Sequence, residues 1–105
     1  MKRYLQFVIL FIFVALTTAC FTGMNLREGI QSFKDQDYRK AFIRLKPLAE
    51  KGQPDAQYAV GFMYYYGQGV VEDKTKAVFW IHSAALAGQP DAMEAVKIME
   101  RGKGL

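Results

Sequence analysis

When the chain is slid along itself by 36 residues, Gly52-Gln53-Pro54-Asp55-Ala56 falls on Gly88-Gln89-Pro90-Asp91-Ala92. The match extends both ways without a gap. Asp37, Lys40, Ala41 and Ala49 land on Asp73, Lys76, Ala77 and Ala85, and Ala59, Val60 and Met63 land on Ala95, Val96 and Met99. From Asp37 to Met63, 12 of the 27 aligned pairs are identical, far more than unrelated segments share. A period of this length, with Ala at helix-packing positions, specifies stacked helix hairpins in which each repeat buries its apolar face on a neighbour. Such solenoids present surfaces for binding and seldom carry chemistry of their own.

The N-terminus is a separate object. Lys2 and Arg3 precede an unbroken ten-residue apolar run, Phe7 to Leu16, which is short for a membrane span. Thr17-Thr18-Ala19 then offers the small residues a signal peptidase needs, and Cys20 is the only cysteine. Leu16-Thr17-Thr18-Ala19-Cys20 resembles a bacterial lipobox, although Leu stands one place earlier than usual and Thr17 takes its position. The reading is a lipoprotein signal peptide over 1–19, a lipidated Cys20 with a tether over 20–25, and the solenoid over 26–105. An uncleaved signal anchor in the inner membrane and an ordinary secreted protein are the alternatives. A lone unpaired thiol suits an oxidising compartment poorly, which favours acylation. Phe21 stands where Asp would signal retention at the inner membrane, so the expected location is the periplasmic face of the outer membrane.

Removing Lys2 and Arg3 lowers the net charge from +4 to +2. The remaining charge is mixed in sign, with no basic run, which argues against nucleic acid as a partner. No cysteine pair staples the mature chain, so packing alone must hold it.

Five helical stretches are expected after the tether Thr22–Asn25. Leu26, Ile30 and Phe33 form the inner face of the first, with Arg27, Glu28, Gln31 and Lys34 outward. Asp37 is placed to cap the second, Tyr38 to Lys51, which turns Ala41, Leu45, Leu48 and Ala49 inward. Pro47 should kink this helix or split off its last turn. Gly52 ends it and Pro54 opens the third. Gly67-Gln68-Gly69-Val70 is a turn, Asp73 caps the fourth helix, Gly88 stops it, and Asp91 to Arg101 is the fifth. The third helix has two apolar faces: Ala56, Ala59, Val60 and Met63, and opposite them Tyr58, Phe62 and Tyr65. In the fifth helix the second face becomes Glu94, Lys97 and Arg101, broken only by Ile98, as a solenoid end requires.

The stretch Gly52 to Gly88 resembles the Sel-one-like repeat, a tetratricopeptide-related helix hairpin. The matching places are Ala56-Gln57, Val60-Gly61, Tyr64, Gly67-Gln68-Gly69-Val70, Asp73, Lys76-Ala77, Trp80, Ala84-Ala85 and Gly88. Pro47 to Gly52 resembles a lead-in to such repeats, and Gly102-Lys103-Gly104-Leu105 the start of another turn. The family prefers Leu where Val60 stands, and the cysteine pair of some members is missing. The resemblance covers roughly Tyr38 to the end. It implies an all-α fold, a short right-handed α-solenoid of about two and a half helix hairpins, with a protein- or peptide-binding role.

No catalytic, cofactor or metal site is expected. His82 is the only histidine, and no nucleophile or carboxylate stands at a spacing that recommends a partner for it. The glycines at 67 and 69 lack the Lys-Ser/Thr of a phosphate loop. Candidate partner-binding residues are Tyr58, Phe62 and Tyr65 on the third helix and the stripe Phe79, His82 and Leu86 on the fourth. Each set can equally be covered by neighbouring helices, and Phe79 with Leu86 can also close a homodimer. Tyr64 and Trp80 read as structural. The functional expectation is a lipid-anchored periplasmic adaptor. The alternative is an immunity-type inhibitor of a toxin acting in the periplasm, and an enzyme is disfavoured.

Overall fold

The computed structural model describes residues 2–102, and the side chains of residues 2–14 and 25–102. The side chains of residues 15–24, Cys20 among them, lie outside the described set, as do residues 103–105. Five helices follow one another: α1 (Lys2–Lys34), α2 (Tyr38–Glu50), α3 (Pro54–Tyr66), α4 (Lys74–Leu86) and α5 (Pro90–Gly102). Each packs on the next, and α1 also touches α3, so the chain is an all-α solenoid of hairpins. No helix among the described residues is long and apolar enough to cross a membrane.

The period-36 pattern reappears as geometry. Pro54 and Pro90 open α3 and α5, where a missing N–H loses no hydrogen bond. α2 and α4 end in the same motif: Gly52 N–H donates to Ala49 O and Gln53 N–H to Leu48 O, as Gly88 does to Ala85 and Gln89 to Ala84. The turn after α1 repeats it, with Gln36 N–H to Phe33 O and Asp37 N–H to Ser32 O. There the left-handed position falls on Gln36, at φ +63°.

The core is built from small residues that bring helix backbones together. Leu45, Val60 and Met63 are fully buried among Ala41, Ala49, Ala56, Ala59 and Ala77. Ile81, Ala84 and Ala92 form a smaller cluster where α4 meets α5. Burial of such side chains contributes about 25 cal/mol per Å² of apolar area. Two glycines mark the tightest approaches. A methyl group on Gly61 would stand 2.6 Å from Ile81 Cγ1, and one on Gly29 would stand 2.5 Å from Leu45 Cδ2. Leu45 and Ile81 are 36 residues apart, but Gly29 and Gly61 are only 32 apart. The α1–α2 hairpin is therefore the same unit as α3–α4 with a shorter turn, residues 35–37 in place of 67–73. Gly69 in the longer turn has φ +72° and lies on the first turn of α2, where a Cβ would come within 2.6 Å of the Tyr38 carbonyl carbon.

Three local expectations are corrected. The tether expected at Thr22–Asn25 is helical: α1 runs unbroken through it, because no Pro stands there and Gly23 alone does not stop a helix with apolar residues on both sides. Pro47 does not split off the last turn of α2, which continues to Glu50. The N–H it lacks would have met the carbonyl of Ile43 on the outer face, where water reaches it. Asp37 occupies the N-cap of α2 but its side chain accepts no capping hydrogen bond, whereas Asp73 Oδ1 accepts from Lys76 N–H at 3.0 Å. The backbone explains the contrast, for Asp73 is extended (φ −149°, ψ 99°) and Asp37 is not (φ −86°, ψ 70°).

Candidate functional site

On α3, positions 58, 62, 65 and 66 share one face at helical spacing, opposite the buried Ala56–Val60–Met63 face. That face opens into a groove of about 250 Å³ between α3 and α5. Tyr58, Phe62, Tyr65 and Tyr66 line one wall, Ala95, Ile98 and Met99 of α5 the other, and Ile81 the floor. The aromatic wall is held by ring contacts. Phe62 meets Phe33 of α1 edge-on at 5.3 Å and Tyr66 at 4.8 Å, and Tyr65 meets Tyr66 at 4.8 Å. Lys74 Nζ lies 4.9 Å from the centroid of the Tyr65 ring, a cation held against an aromatic face. Burial, with smaller contributions from Asp91 and Tyr66, holds the Tyr58 phenol above its ordinary pKa, so it stays a neutral hydrogen-bond donor well into alkaline solution.

The six candidate residues therefore separate into two sets. Tyr58, Phe62 and Tyr65 come together in the groove, half-buried rather than sealed by their neighbours. Phe79, His82 and Leu86 stand exposed on α4 away from it, Leu86 at 90% and Phe79 at 61%. Phe79 and Trp80 meet as a T-shaped pair with ring centroids 5.2 Å apart. Tyr64 is buried, and its ring meets Phe42 at 5.5 Å. Trp80 packs against the main core with Lys46 over its ring. Sequence reasoning passed over Tyr66, although it follows Phe62 by four residues on the same face, and over Ile98, noticed only as a break in a polar surface. Their exposures of 58% and 59% make them the most accessible apolar parts of the groove.

The repeat junctions also hold an unforeseen polar device. Gln89 is buried ahead of α5, where its Oε1 accepts from Ala92 N–H and its Nε2 reaches Asp55 Oδ1 at 3.3 Å. The side chain caps α5 and ties it to the start of α3. Buried Gln57 donates from Nε2 to Ala49 O at 3.2 Å, joining α3 to α2. Among the described residues no group of three His, Cys, Asp or Glu side chains is placed to hold a metal ion. What remains is an apolar, aromatic groove lined by three tyrosines, equipped for contact rather than catalysis.

Fold and groove together define a helix-hairpin solenoid of the kind that scaffolds other proteins. The Sel1 repeat model matches residues 19–52 and 54–89, and the chain belongs to the Sel1 repeat family, whose members act in protein–protein interaction without catalysis. Its two matched units coincide with the α1–α2 and α3–α4 hairpins, so the repeats begin well before Tyr38. A curated relative is the ERAD-associated E3 ubiquitin-protein ligase component HRD3A of Arabidopsis thaliana, 36% identical over 89 residues. The match takes in 83% of this chain and 13% of that protein, so this chain corresponds to a small part of the relative's length. No solved structure matches the chain.

Proposed function

We propose that the protein is a lipid-anchored binding module of the cell envelope, without catalytic activity, whose α3–α5 groove takes an apolar segment of a protein partner. The observation that carries this reading is the convergence of Tyr58, Phe62, Tyr65 and Tyr66 on one open groove. Large, rigid aromatic side chains with polar tips are the residues that concentrate binding energy at interfaces. Membership of a larger assembly, as the plant relative's name describes for that protein, fits such a role. Cys20, acylated after removal of residues 1–19, supplies the anchor, since two or more buried acyl chains hold a protein on a bilayer.

The test has two arms. Crosslinking in native envelopes, read by mass spectrometry, should recover a partner with the wild-type chain and lose it with Phe62→Ala/Tyr66→Ala. Each truncation should weaken binding by more than about 1 kcal/mol. Partner recovery unchanged by the double variant would move the interface out of the groove. Metabolic labelling with an alkyne fatty acid should mark the wild type and not Cys20→Ala; labelling equal in both would remove the lipid anchor from the reading.

A further inference from the structure

The α3 and α5 helices lie one repeat apart and run in the same direction, since Gln89 at the head of α5 reaches Asp55 at the head of α3. The two walls of the groove are therefore in register. Glu94, Ile98 and Arg101 occupy the repeat positions, 36 residues on, of Tyr58, Phe62 and Tyr65. Each of these α3 aromatics has an α5 side chain at its own level: Glu94 beside Tyr58, Ile98 beside Phe62 and Arg101 beside Tyr65.

The two ends of this ladder differ in sign. At the first, Asp55 and Asp91 open the helices, close enough for the Gln89 amide nitrogen to reach them at 3.3 and 3.4 Å. Asp91 acts on the Tyr58 phenol, and Glu94 adds a third acid. At the second, Lys74 Nζ lies over the Tyr65 ring and Arg101 stands in the last turn of α5. All five charged residues are exposed. Among the described residues no ion pair engages Asp55, Asp91, Glu94 or Arg101, and Lys74 meets Glu72 only at 3.9 Å. Lys97 and Glu100 do not blur the pattern. They take the repeat positions of Gly61 and Tyr64, which on α3 meet α4 and α2, so they turn away from the groove.

We propose that the groove takes a short extended peptide segment in which opposite charges stand two residues either side of a large apolar residue. Its Lys or Arg meets Asp55, Asp91 and Glu94, its apolar side chain seats between Phe62 and Ile98, and its Asp or Glu meets Lys74 and Arg101. The spacing fits. From Asp91 to Arg101 the helix rises about 15 Å, and an extended chain covers about 13 Å from i to i+4, with i, i+2 and i+4 on one side. The groove of about 250 Å³ suits single side chains rather than a helix some 10–12 Å across. A wholly apolar segment would leave the charges at both ends without partners, and a segment of one sign would be repelled at one end. The inference deepens the proposed function and rests on its assignment of the groove as the binding site.

The test pans a phage-displayed library of random short peptides on the full chain in detergent. Enriched peptides are synthesised, and their affinities are measured by fluorescence polarisation. Enrichment of the charge–apolar–charge pattern is expected, with binding lost in Phe62→Ala/Tyr66→Ala. Lys74→Glu/Arg101→Glu reverses the basic end, with helical circular dichroism confirming the fold; the new acid at 74 suits the first turn of α4. This variant should bind the selected peptides at least about fivefold more weakly, and should regain affinity for the same peptides with their acid replaced by Lys. Selected peptides that need Phe62 and Tyr66 but show no charge order, or that bind Lys74→Glu/Arg101→Glu like the wild type, would overturn the proposal and leave the groove as an apolar binding site. Peptides indifferent to Phe62→Ala/Tyr66→Ala, or no enrichment over a bare surface, would overturn the groove assignment and the proposal with it.

Discussion

Replacing Gly61 by Ala tests whether the α3–α4 contact limits the stability of the solenoid. In an exposed helix the change would be favourable by about 1 kcal/mol, because Ala has the higher helix propensity. Here the added methyl would stand 2.6 Å from Ile81 Cγ1 and 3.1 Å from both Ala77 O and Ile81 N. Ile81 can adjust its side chain, but the other two atoms are backbone, and relieving them means moving α4 away from α3. Overpacking of this kind costs about 1–3 kcal/mol. The balance is a net loss of up to about 2 kcal/mol, equivalent to a fall in Tm of up to roughly 15 °C for a domain of this size. Thermal unfolding of the detergent-solubilised chain, followed by helical circular dichroism, measures it. Gly102→Ala is the control, since a methyl there meets nothing within 4 Å. If Gly61→Ala melts at or above the wild-type temperature, the close approach is not what makes glycine necessary and the argument fails.

Three further outcomes follow from other local features. Gln36 holds a left-handed backbone at φ +63°, so Gln36→Gly should raise stability in urea unfolding by about 0.5–1 kcal/mol, and a loss would refute the strain. Asp73→Ala should cost about 1 kcal/mol through its lost capping hydrogen bond, whereas Asp37→Ala should change stability little; equal losses would contradict the cap geometry. The Tyr58 phenol has a raised pKa in the folded chain, so its contribution is complete below the unfolded value near 10 and disappears as pH rises through the folded value. Tyr58→Phe should accordingly flatten the fall in stability above about pH 10, and an unchanged alkaline limb in denaturant titrations would remove that contribution.

The sequence was most legible where α4 and α5 repeat the residues of α2 and α3 without a gap. Pro54 with Pro90, Gly52 with Gly88, and Ala41 with Ala77 carry geometry that tolerates little substitution, so identity survives at those places and the helices can be read from it. The first hairpin was harder to recognise because its turn is four residues shorter, which shifts Gly29 out of register with Gly61 although both face the same packing partner. A single fixed offset cannot register both. The groove was half legible. Tyr58, Phe62 and Tyr65 share a face by spacing alone, but the opposing wall belongs to α5. Ile98 acquires meaning only when the fold brings that helix across from α3. Phe79 and Leu86 are equally apolar and end on the outer surface, since hydrophobicity within one helix does not state which neighbours will cover it. Whether Asp37 caps was set by backbone dihedrals that residue type does not determine.

Gly69 seats the turn of the second hairpin on the opening residues of α2, which belongs to the first. The contact lies across the boundary between repeats and is made of main-chain atoms, so no side-chain substitution at Tyr38 removes it. In a linear array, a boundary of that kind supplies the nearest-neighbour coupling that makes units melt together rather than one by one. Amide hydrogen exchange should report it as similar opening free energies for α2 and α4. A larger side chain at position 69 should uncouple the two, letting the first hairpin fray while the second stays closed.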